Sequence, residues 1–170
     1  MLRSEILPAN GIQEVSIAGY PEGHPRIPQQ KLIDALGEKL VLADSNGLDA
    51  SVLTQFSFVP KRIIQFCSDL GRNAPGIPVY VGMAGPTDMF KLMRYAKICG
   101  VSTSWRALSE MGMKAAKLAM HTDPGKQLEA LAQHCAMHPG HNIIGVHMFS
   151  FGGFIKSAKW MHETISFRGN

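Results

Sequence analysis

The residues of this chain that are best suited to hold a ligand form four short groups, and the first is the segment 18–25. Within it Tyr20, Glu22 and His24 alternate with two prolines and a glycine. A tyrosine offers a flat ring and a hydroxyl, and a histidine ring offers a donor or an acceptor. Together these side chains can hold an aromatic heterocycle and its polar tail. A proline-stiffened turn with its polar side chains in water explains the segment equally well.

Each of the other three groups follows an apolar stretch that is typical of a strand. Gln55 carries an amide that suits the edge of a pterin or of a carboxamide. Lys91 and Tyr95 are four residues apart, which places them on one face of a helix, and Tyr95 can stack on a planar ligand. The segment 147–153 ends in Gly-Gly, which lets a ligand approach the backbone closely. At each group an ordinary structural residue or turn is the alternative.

A histidine cluster consists of His134, His138 and His141, with Cys135 among them. Two histidines four residues apart can bind zinc on a helix. However, a Pro-Gly pair follows His138 and ends the helix there, and no carboxylate is close in sequence. We therefore interpret the cluster as a polar helix end and expect no metal. The glycine patterns of nucleophile elbows, dinucleotide-binding folds and P-loops are absent from the sequence.

Alternating strands and helices must position these groups. We predict strands at 15–19, 51–58, 79–83 and 141–149. We predict helices at 29–43, 60–70, 89–98, 102–118, 123–137 and 154–165. Short apolar strands joined by helical crossovers are typical of a parallel sheet. The pattern predicts an α/β protein with four βα units, either a TIM-barrel type half barrel or a small doubly wound sheet, with its site at the carboxyl ends of the strands.

Composition is that of one globular domain over residues 1–170, with 45% hydrophobic and 18% charged residues. A complete barrel typically needs about 250 residues. The net charge of +4 is spread out, so we expect no nucleic-acid partner, although a mild positive field suits an anionic ligand. Three isolated cysteines predict reduced thiols in a cytoplasmic protein. The sequence shows neither a signal peptide nor an apolar run that could span a membrane.

Taken in order, the four groups resemble the methylenetetrahydrofolate reductase family. The segment Val15–Pro25 is similar to that family's fifth strand and the loop after it, and Leu36–Lys39 is similar to a helix segment that ends in lysine. Leu53–Phe58 resembles its Thr-Gln-Phe-Phe-Phe strand, Gly82–Tyr95 its seventh strand and helix, and Val146–Gly153 the end of its eighth strand. The resemblance spans nearly the whole chain and implies strands five to eight of a TIM barrel.

This resemblance implies an FAD-dependent oxidoreductase of one-carbon metabolism, which reduces 5,10-methylenetetrahydrofolate to 5-methyltetrahydrofolate with NAD(P)H. In the family's pattern Tyr20, His24 and Lys39 would contact FAD. Gln55 would meet the pterin of the folate and, alternately, the nicotinamide. Such a reaction is ping-pong, and the protein mainly positions the rings and tunes the flavin.

Two further residues take roles from the same resemblance. Tyr95 falls where the family has a stacking phenylalanine, and Lys91 falls where some members have a substrate-binding glutamine. We assign no catalytic residue, because the family's glutamate near the pterin and its aspartate near the flavin come from the first four strands, which have no counterpart in this chain. Gly152 and Gly153 stand where the family has Asn-Arg, and that arginine helps to hold the folate.

These departures leave other functions open. One is a non-catalytic flavin- or folate-binding module, or a subunit that needs a partner chain. Another is a diverged reductase that acts on a different one-carbon carrier. An open half barrel exposes strand edges and apolar faces. We therefore expect a homo-oligomer, or a partner chain that supplies the missing half barrel.

Overall fold

The computed structural model describes residues 2, 6–101 and 124–166, and the helix predicted at 102–118 lies outside these ranges. The strands are β1 (Glu14–Gly19), β2 (Asp49–Thr54), β3 (Val79–Ala84) and β4 (Ile143–Phe149). The helices are α1 (Ile6–Ala9), α2 (Gln29–Ser45), α3 (Pro60–Asn73), α4 (Met89–Cys99), α5 (Gly125–Met137) and α6 (Phe154–Ser166). No helix in these ranges is long and apolar enough to cross a membrane.

The four strands form one sheet in the order β1-β2-β3-β4, and every neighbouring pair is parallel. Each strand is therefore followed in space by the next strand of the sequence, with helical crossovers between them. This confirms the predicted α/β class, with a four-stranded parallel sheet and alternating helices. β-branched residues such as Val52 and Val79 pair in the central strands, as is typical of a buried parallel sheet.

The prediction of the second strand was wrong at its carboxyl end, because the strand stops at Thr54 and not at Phe58. Beyond Thr54 the backbone leaves the ladder, and Phe56 and Phe58 pack edge-to-face with ring centroids 5.7 Å apart. Their apolar spacing reflects this ring packing and not strand pairing. The fourth strand likewise begins later than predicted, since the Ile143 N–H donates to His141 Nδ1 in a turn.

The helices α2, α3 and α5 contribute to one core, which lies on one face of the sheet. In α3 the buried side chains Ile63, Cys67 and Leu70 recur at helical spacing and form the apolar side of an amphipathic helix. They pack in one cluster with Val52 and Val81 of the sheet. We call this the covered face.

The opposite face carries the side chains that alternate with the covered ones along each strand. Ser16, Ala18 and His147 are exposed, and Tyr80 and Ile144 are 39% and 58% exposed. Within the described ranges nothing covers these five residues, and we call this surface the open face. Only its carboxyl end is closed, where Ala84 packs with residues of α4.

Candidate functional site

The first candidate group forms a tight loop at the carboxyl end of β1. Gly19 ends the strand, and a Cβ there would lie 2.7 Å from the Phe66 ring and 2.8 Å from Val52, so only glycine lets α3 pack this closely. Gly23 has a φ of +77°, and its N–H donates to the Tyr20 carbonyl at 3.0 Å. This bond closes a turn and holds the loop beside the end of the strand.

Tyr20 and His24, for which the sequence predicts flavin contacts, lie close together within this loop. Both are half-buried, and their ring centroids lie 6.0 Å apart at an interplanar angle of 86°. The backbone N–H of Arg26 donates to His24 Nδ1 at 3.2 Å, so the proton of the neutral ring lies on Nε2. His24 therefore presents Nε2–H as a donor beside the Tyr20 ring.

Glu22 ties the same loop to the segment after β2. Ser57 Oγ donates to Glu22 Oε1 at 2.5 Å and accepts from the Val59 N–H at 3.0 Å. Gln127 Nε2 of α5 donates to the Ser57 carbonyl at 2.6 Å. Ser57 is fully buried, so it fixes one loop against the other. Sequence reasoning missed this residue, and its only signal was a serine between two phenylalanines.

Gln55 lies directly beyond β2, and its backbone N–H donates to the Gly19 carbonyl at 2.8 Å. Its side-chain Nε2 donates to the Cys99 carbonyl, also at 2.8 Å. Only the donor end of an amide can face a carbonyl, so Oε1 points elsewhere. This Oε1 is buried, and no group in the described part of the chain donates to it. An unmatched buried acceptor costs about 1–3 kcal/mol.

The end of α4 closes the space between the first two groups. Gly100 caps this helix with a φ of +71°, and a side chain at Gly100 would collide with the Pro25 ring. The last carbonyls of a helix lack partners within it, which leaves the Cys99 carbonyl free to accept from Gln55. The loop, Gln55 and the end of α4 thus form one cluster.

A row of aromatic side chains leads from this cluster to β4. Tyr95 stacks on Phe151, with centroids 4.6 Å apart and planes 29° apart, and Phe56 lies 4.8 Å from Phe151. Phe149 lies 5.9 Å from Phe151, and His147 lies 4.7 Å from Phe149. We call these five residues the aromatic row. Phe151 already occupies one side of Tyr95, so a planar ligand would meet the part of the tyrosine ring that is still exposed.

Phe151 itself has a strained backbone. Its φ is +43°, and that of Gly152 is +79°. A bulky residue at positive φ is rare, and such strain is found preferentially at functional sites. The turn continues with Gly153, whose N–H donates to the Ser150 carbonyl at 2.7 Å. The predicted Gly-Gly turn is therefore present, and the strained residue is the phenylalanine before it.

Lys91 lies in a neighbouring cleft of about 370 Å³ between the starts of α4 and α6. Asp88 caps α4, because its side chain accepts from the N–H groups of Phe90 at 2.9 Å and Lys91 at 3.2 Å. The remaining lining residues come from both helix starts and the glycine turn: Thr87, Gly152, Gly153, Phe154, Ile155 and Lys156. Lys91 of the third candidate group and the two glycines of the fourth therefore share this cleft.

Lys39 lies apart from the cluster. It is exposed in α2, which begins at Gln29, and a rise of 1.5 Å per residue places it about 15 Å along the axis from that start. The structure thus places Lys39 well down the helix from Tyr20 and His24. A ligand that contacts all three residues must be long.

Neither Cys67 of α3 nor Cys99 of α4 has an activated thiol. Burial, followed by the nearby Cys135, raises the pKa of Cys67 to about 12, and burial also raises the pKa of Cys99. Both thiols therefore stay protonated near neutral pH, and a thiolate is the reactive form. Burial and the neighbouring His138 and His141 lower the pKa of His134.

The predicted binding residues are not all brought together. Four of them lie at the carboxyl edge of the sheet: Tyr20, His24, Gln55 and Tyr95. Lys91 lies in the adjacent cleft, and Lys39 is separate. In residues 6–101 and 124–166, no group of three or more histidine, cysteine or acidic side chains is arranged to hold a metal. The chain matches no model of a known protein family.

Proposed function

We propose that this chain is the second half of a methylenetetrahydrofolate reductase-like TIM barrel, an FAD-dependent oxidoreductase of cytoplasmic one-carbon metabolism. The strand order supports the barrel assignment. A doubly wound sheet reverses its strand order at a switch point and carries helices on both faces. The described strands run in consecutive order, and the open face carries no helix over Ser16, Ala18 and Tyr80.

The observation that carries the functional proposal is the buried, unmatched acceptor atom of the Gln55 side chain. Its amide lies at the carboxyl edge of a parallel sheet, where βα proteins bind their ligands. Its acceptor Oε1 is buried with no donor from the described residues, and buried polar atoms are nearly always matched. A pterin or a nicotinamide carboxamide offers N–H donors of the kind that would satisfy it. Ligand binding would then involve Gln55 shifting from the Cys99 carbonyl, or a donor entering beside it.

The side chains around Gln55 fit FAD. His24 presents Nε2–H, Tyr20 presents a ring and a hydroxyl, and Lys39 offers a cation further along α2 for an elongated, anionic cofactor. FAD, when bound, supplies the two-electron transfer between NAD(P)H and the methylene carbon of the folate. The chain's own residues hold and orient the rings, and the aromatic row excludes water from them.

Lys91 extends the same proposal to the folate tail. It is exposed and lines the cleft beside the glycine turn, so its ammonium can attract the carboxylates of a glutamate tail. The aromatic row separates this cleft from the Gln55 cluster. Tyr95, one helical turn after Lys91, bridges the two by stacking on Phe151. The substrate would therefore lie along Tyr95, with its pterin toward Gln55.

A second candidate function is binding of flavin or folate without turnover, or service as a subunit of a larger reductase. The turn at Gly152 and Gly153 favours it, because neither residue can replace an arginine that holds the folate. Glu22 favours it as well, since this carboxylate of the loop accepts from Ser57 and helps to fix the loop. Under this reading the protein binds the cofactor but does not oxidise NAD(P)H.

A visible spectrum tests the flavin proposal directly. Purified protein mixed with FAD and passed through a desalting column should remain yellow, and NADH or NADPH added without oxygen should bleach it. His24→Ala should weaken FAD binding, on the order of tenfold for one lost hydrogen bond to a charged or polar group. His162→Ala, at an exposed position of α6, is the matched control and should leave the affinity unchanged.

The outcomes separate the two candidates. Yellow protein that NAD(P)H bleaches, and that methylenetetrahydrofolate then reoxidises, supports the reductase. Yellow protein that NAD(P)H leaves unchanged supports the binding module. Protein that stays colourless at high FAD concentration contradicts the reductase and a flavin-binding module for this chain, whereas binding of folate alone is then tested by titration with methylenetetrahydrofolate.

A further inference from the structure

The cleft between the starts of α4 and α6 carries more positive than negative charge. Its volume of about 370 Å³ falls within the range of roughly 300–1,000 Å³ that is usual for ligand pockets. Among the described residues that line it, Lys91 and Lys156 are cations and Asp88 is an acid. The Asp88 carboxylate already accepts from two N–H groups of α4. A ligand in this cleft would therefore meet two ammonium groups.

Both lysines stand where a helix disfavours a cation. Lys91 is the third residue of α4, and Lys156 is the third residue of α6. The N-terminus of a helix carries a partial positive charge, so anions are stabilised there and cations are destabilised. Neither helix has an acid in its first turn. Two helices thus break the same electrostatic rule at one cleft, and an anion bound between them would relieve both.

Gly153 gives α6 no side-chain cap. The N–H of Ser157 donates to the Gly153 carbonyl at 2.9 Å, so Gly153 is the residue that precedes the first helical turn. A Cβ at Gly153 would lie 2.9 Å from the Pro86 carbonyl oxygen, which leaves no room for a capping side chain. The first N–H groups of a helix lack partners within it, and a bound anion can accept from them. The glycine therefore keeps this helix start open to a ligand.

A buried hydroxyl at the same helix start is unmatched. Ser157 is 4% exposed, and its Oγ finds no hydrogen-bond partner among the described residues. This oxygen lies against Gly85, which leads through Pro86 to Thr87 in the wall of the cleft. Buried polar atoms are nearly always matched. Gln55 Oε1 is in the same state at the same edge of the sheet, so both places call for a polar group from outside the described residues.

We propose that this cleft binds the 2′-phosphate of NADPH, so that NADPH and not NADH is the electron donor, an inference that rests on the reductase function proposed above. The two dinucleotides differ only in this phosphate monoester, which carries about two negative charges near neutral pH. Lysine ammonium groups and helix N-termini are usual partners of a phosphate. The nicotinamide lies toward Gln55, and Tyr95 leads from there to Lys91, one helical turn away.

The folate tail uses the same charges in the other half of the reaction. In a ping-pong reaction the dinucleotide leaves before the folate binds, so the phosphate and the glutamate carboxylates never occupy the cleft together. A phosphate monoester offers three acceptor oxygens on one atom. It can therefore accept from more than one of the groups at Lys91, at Lys156 and at the start of α6.

Calorimetric titration with 2′,5′-ADP and with 5′-ADP tests the inference, because these probes differ in the 2′-phosphate and need neither flavin nor turnover. We expect 2′,5′-ADP to bind at least about tenfold more tightly. Lys91→Gln and Lys156→Gln should each weaken its binding on the order of tenfold and leave that of 5′-ADP unchanged. Both lysines are exposed, so circular dichroism of the variants should match that of the parent chain.

Lys159→Gln is the matched control. It removes the same charge from α6 one turn further along, where Lys159 pairs with Glu163 at 3.8 Å and does not line the cleft. This variant should keep the full preference for 2′,5′-ADP. Equal affinity of the parent chain for the two nucleotides overturns the inference, and so does a preference that Lys159→Gln reduces as much as Lys156→Gln does.

The remaining outcomes separate the inference from the function on which it rests. Protein that prefers 2′,5′-ADP but stays colourless with FAD supports the phosphate site while the flavin proposal fails. Yellow protein that NADH and NADPH bleach equally well at equal low concentrations supports the reductase and overturns the inference. Protein that binds folate polyglutamates through Lys91 but does not distinguish the two nucleotides keeps the folate proposal and rejects the phosphate site.

Discussion

The two faces of the sheet differ in how far their side chains are buried. Along β3, Val79, Val81 and Met83 are fully buried under helices on the covered face. Tyr80, which alternates with them, remains 39% exposed on the open face. The same strand thus contributes to a finished core on one side and to an unfinished surface on the other. Burial, and not strand formation, separates the packed core of the molecule from its open face.

The second comparison runs along the open face, from its carboxyl end to its amino end. At the carboxyl end the aromatic row, the Gln55 amide and the end of α4 are joined by ring contacts and hydrogen bonds. At the amino end the closest interaction is the bond between Ser16 Oγ and Ser51 Oγ at 2.7 Å, in an exposed position. The organised end is where we place the ligand. None of the predicted binding residues lies at the unorganised end.

The largest expected effect comes from matched truncations on the two faces. Met83→Ala removes a fully buried side chain and should lower the free energy of unfolding by about 2–5 kcal/mol. Ile144→Ala on the open face should cost less than about 1 kcal/mol, because the side chain is already in water. Urea unfolding, at a protein concentration low enough to keep the chain monomeric, measures both. Equal losses would mean that the open face is already packed.

A smaller effect should separate two serines whose hydroxyls both make hydrogen bonds. Ser57→Ala breaks the bond to Glu22 and leaves the Val59 N–H without its acceptor, so it should cost about 1–3 kcal/mol. Ser16→Ala on the open face should change stability by less than about 0.5 kcal/mol, because water replaces the lost partner. Thermal unfolding of the two variants checks this difference. Ser57→Ala should also weaken FAD binding if the loop positions His24, and an unchanged affinity would contradict that role.

The contrast between the faces also explains what sequence reasoning could reach. The helical spacing of Ile63, Cys67 and Leu70 predicts α3 correctly. A helix that is buried on one side repeats its apolar residues every three or four positions, and this repeat is visible in the sequence. The alternation of apolar and polar residues continues to Phe58, so the predicted β2 was too long. Beyond Thr54 this alternation comes from the packing of the Phe56 and Phe58 rings and not from strand pairing. The cluster at Gln55 depends on the Cys99 carbonyl, 44 residues away. No local pattern encodes such a contact, although the glycine at position 100 signals the helix end that makes it.

The local structure around His24 could be predicted from the sequence for a different reason. Its prolines and glycines fix a local turn, so neighbours in sequence remain neighbours in space. Tyr95 was placed on the correct face of α4 by its spacing from Lys91. Its partner Phe151 was not foreseen as a stacking ring, because it belongs to a turn with a positive φ that a phenylalanine rarely adopts. Sequence reasoning thus predicted side chains that are neighbours within one loop or helix, but it did not predict the long-range contacts that hold them.

The smallest expected effect is a pH dependence from the helical layer behind the covered face. The pKa of His134 lies below the ordinary value of 6.5 in the folded chain, through burial and then through His138 and His141. The unfolded chain therefore takes up the proton first as pH falls through about 6.5, which favours unfolding. His134→Gln should reduce the loss of Tm between pH 7.5 and pH 5.5, measured by circular dichroism. His162→Gln, at an exposed position of α6, should leave that loss as it is in the parent chain. His134 stacks on His138 with ring centroids 4.3 Å apart. If the two variants behave alike, this stacking does not impede the protonation of His134, and the end of α5 is as open to water as the open face.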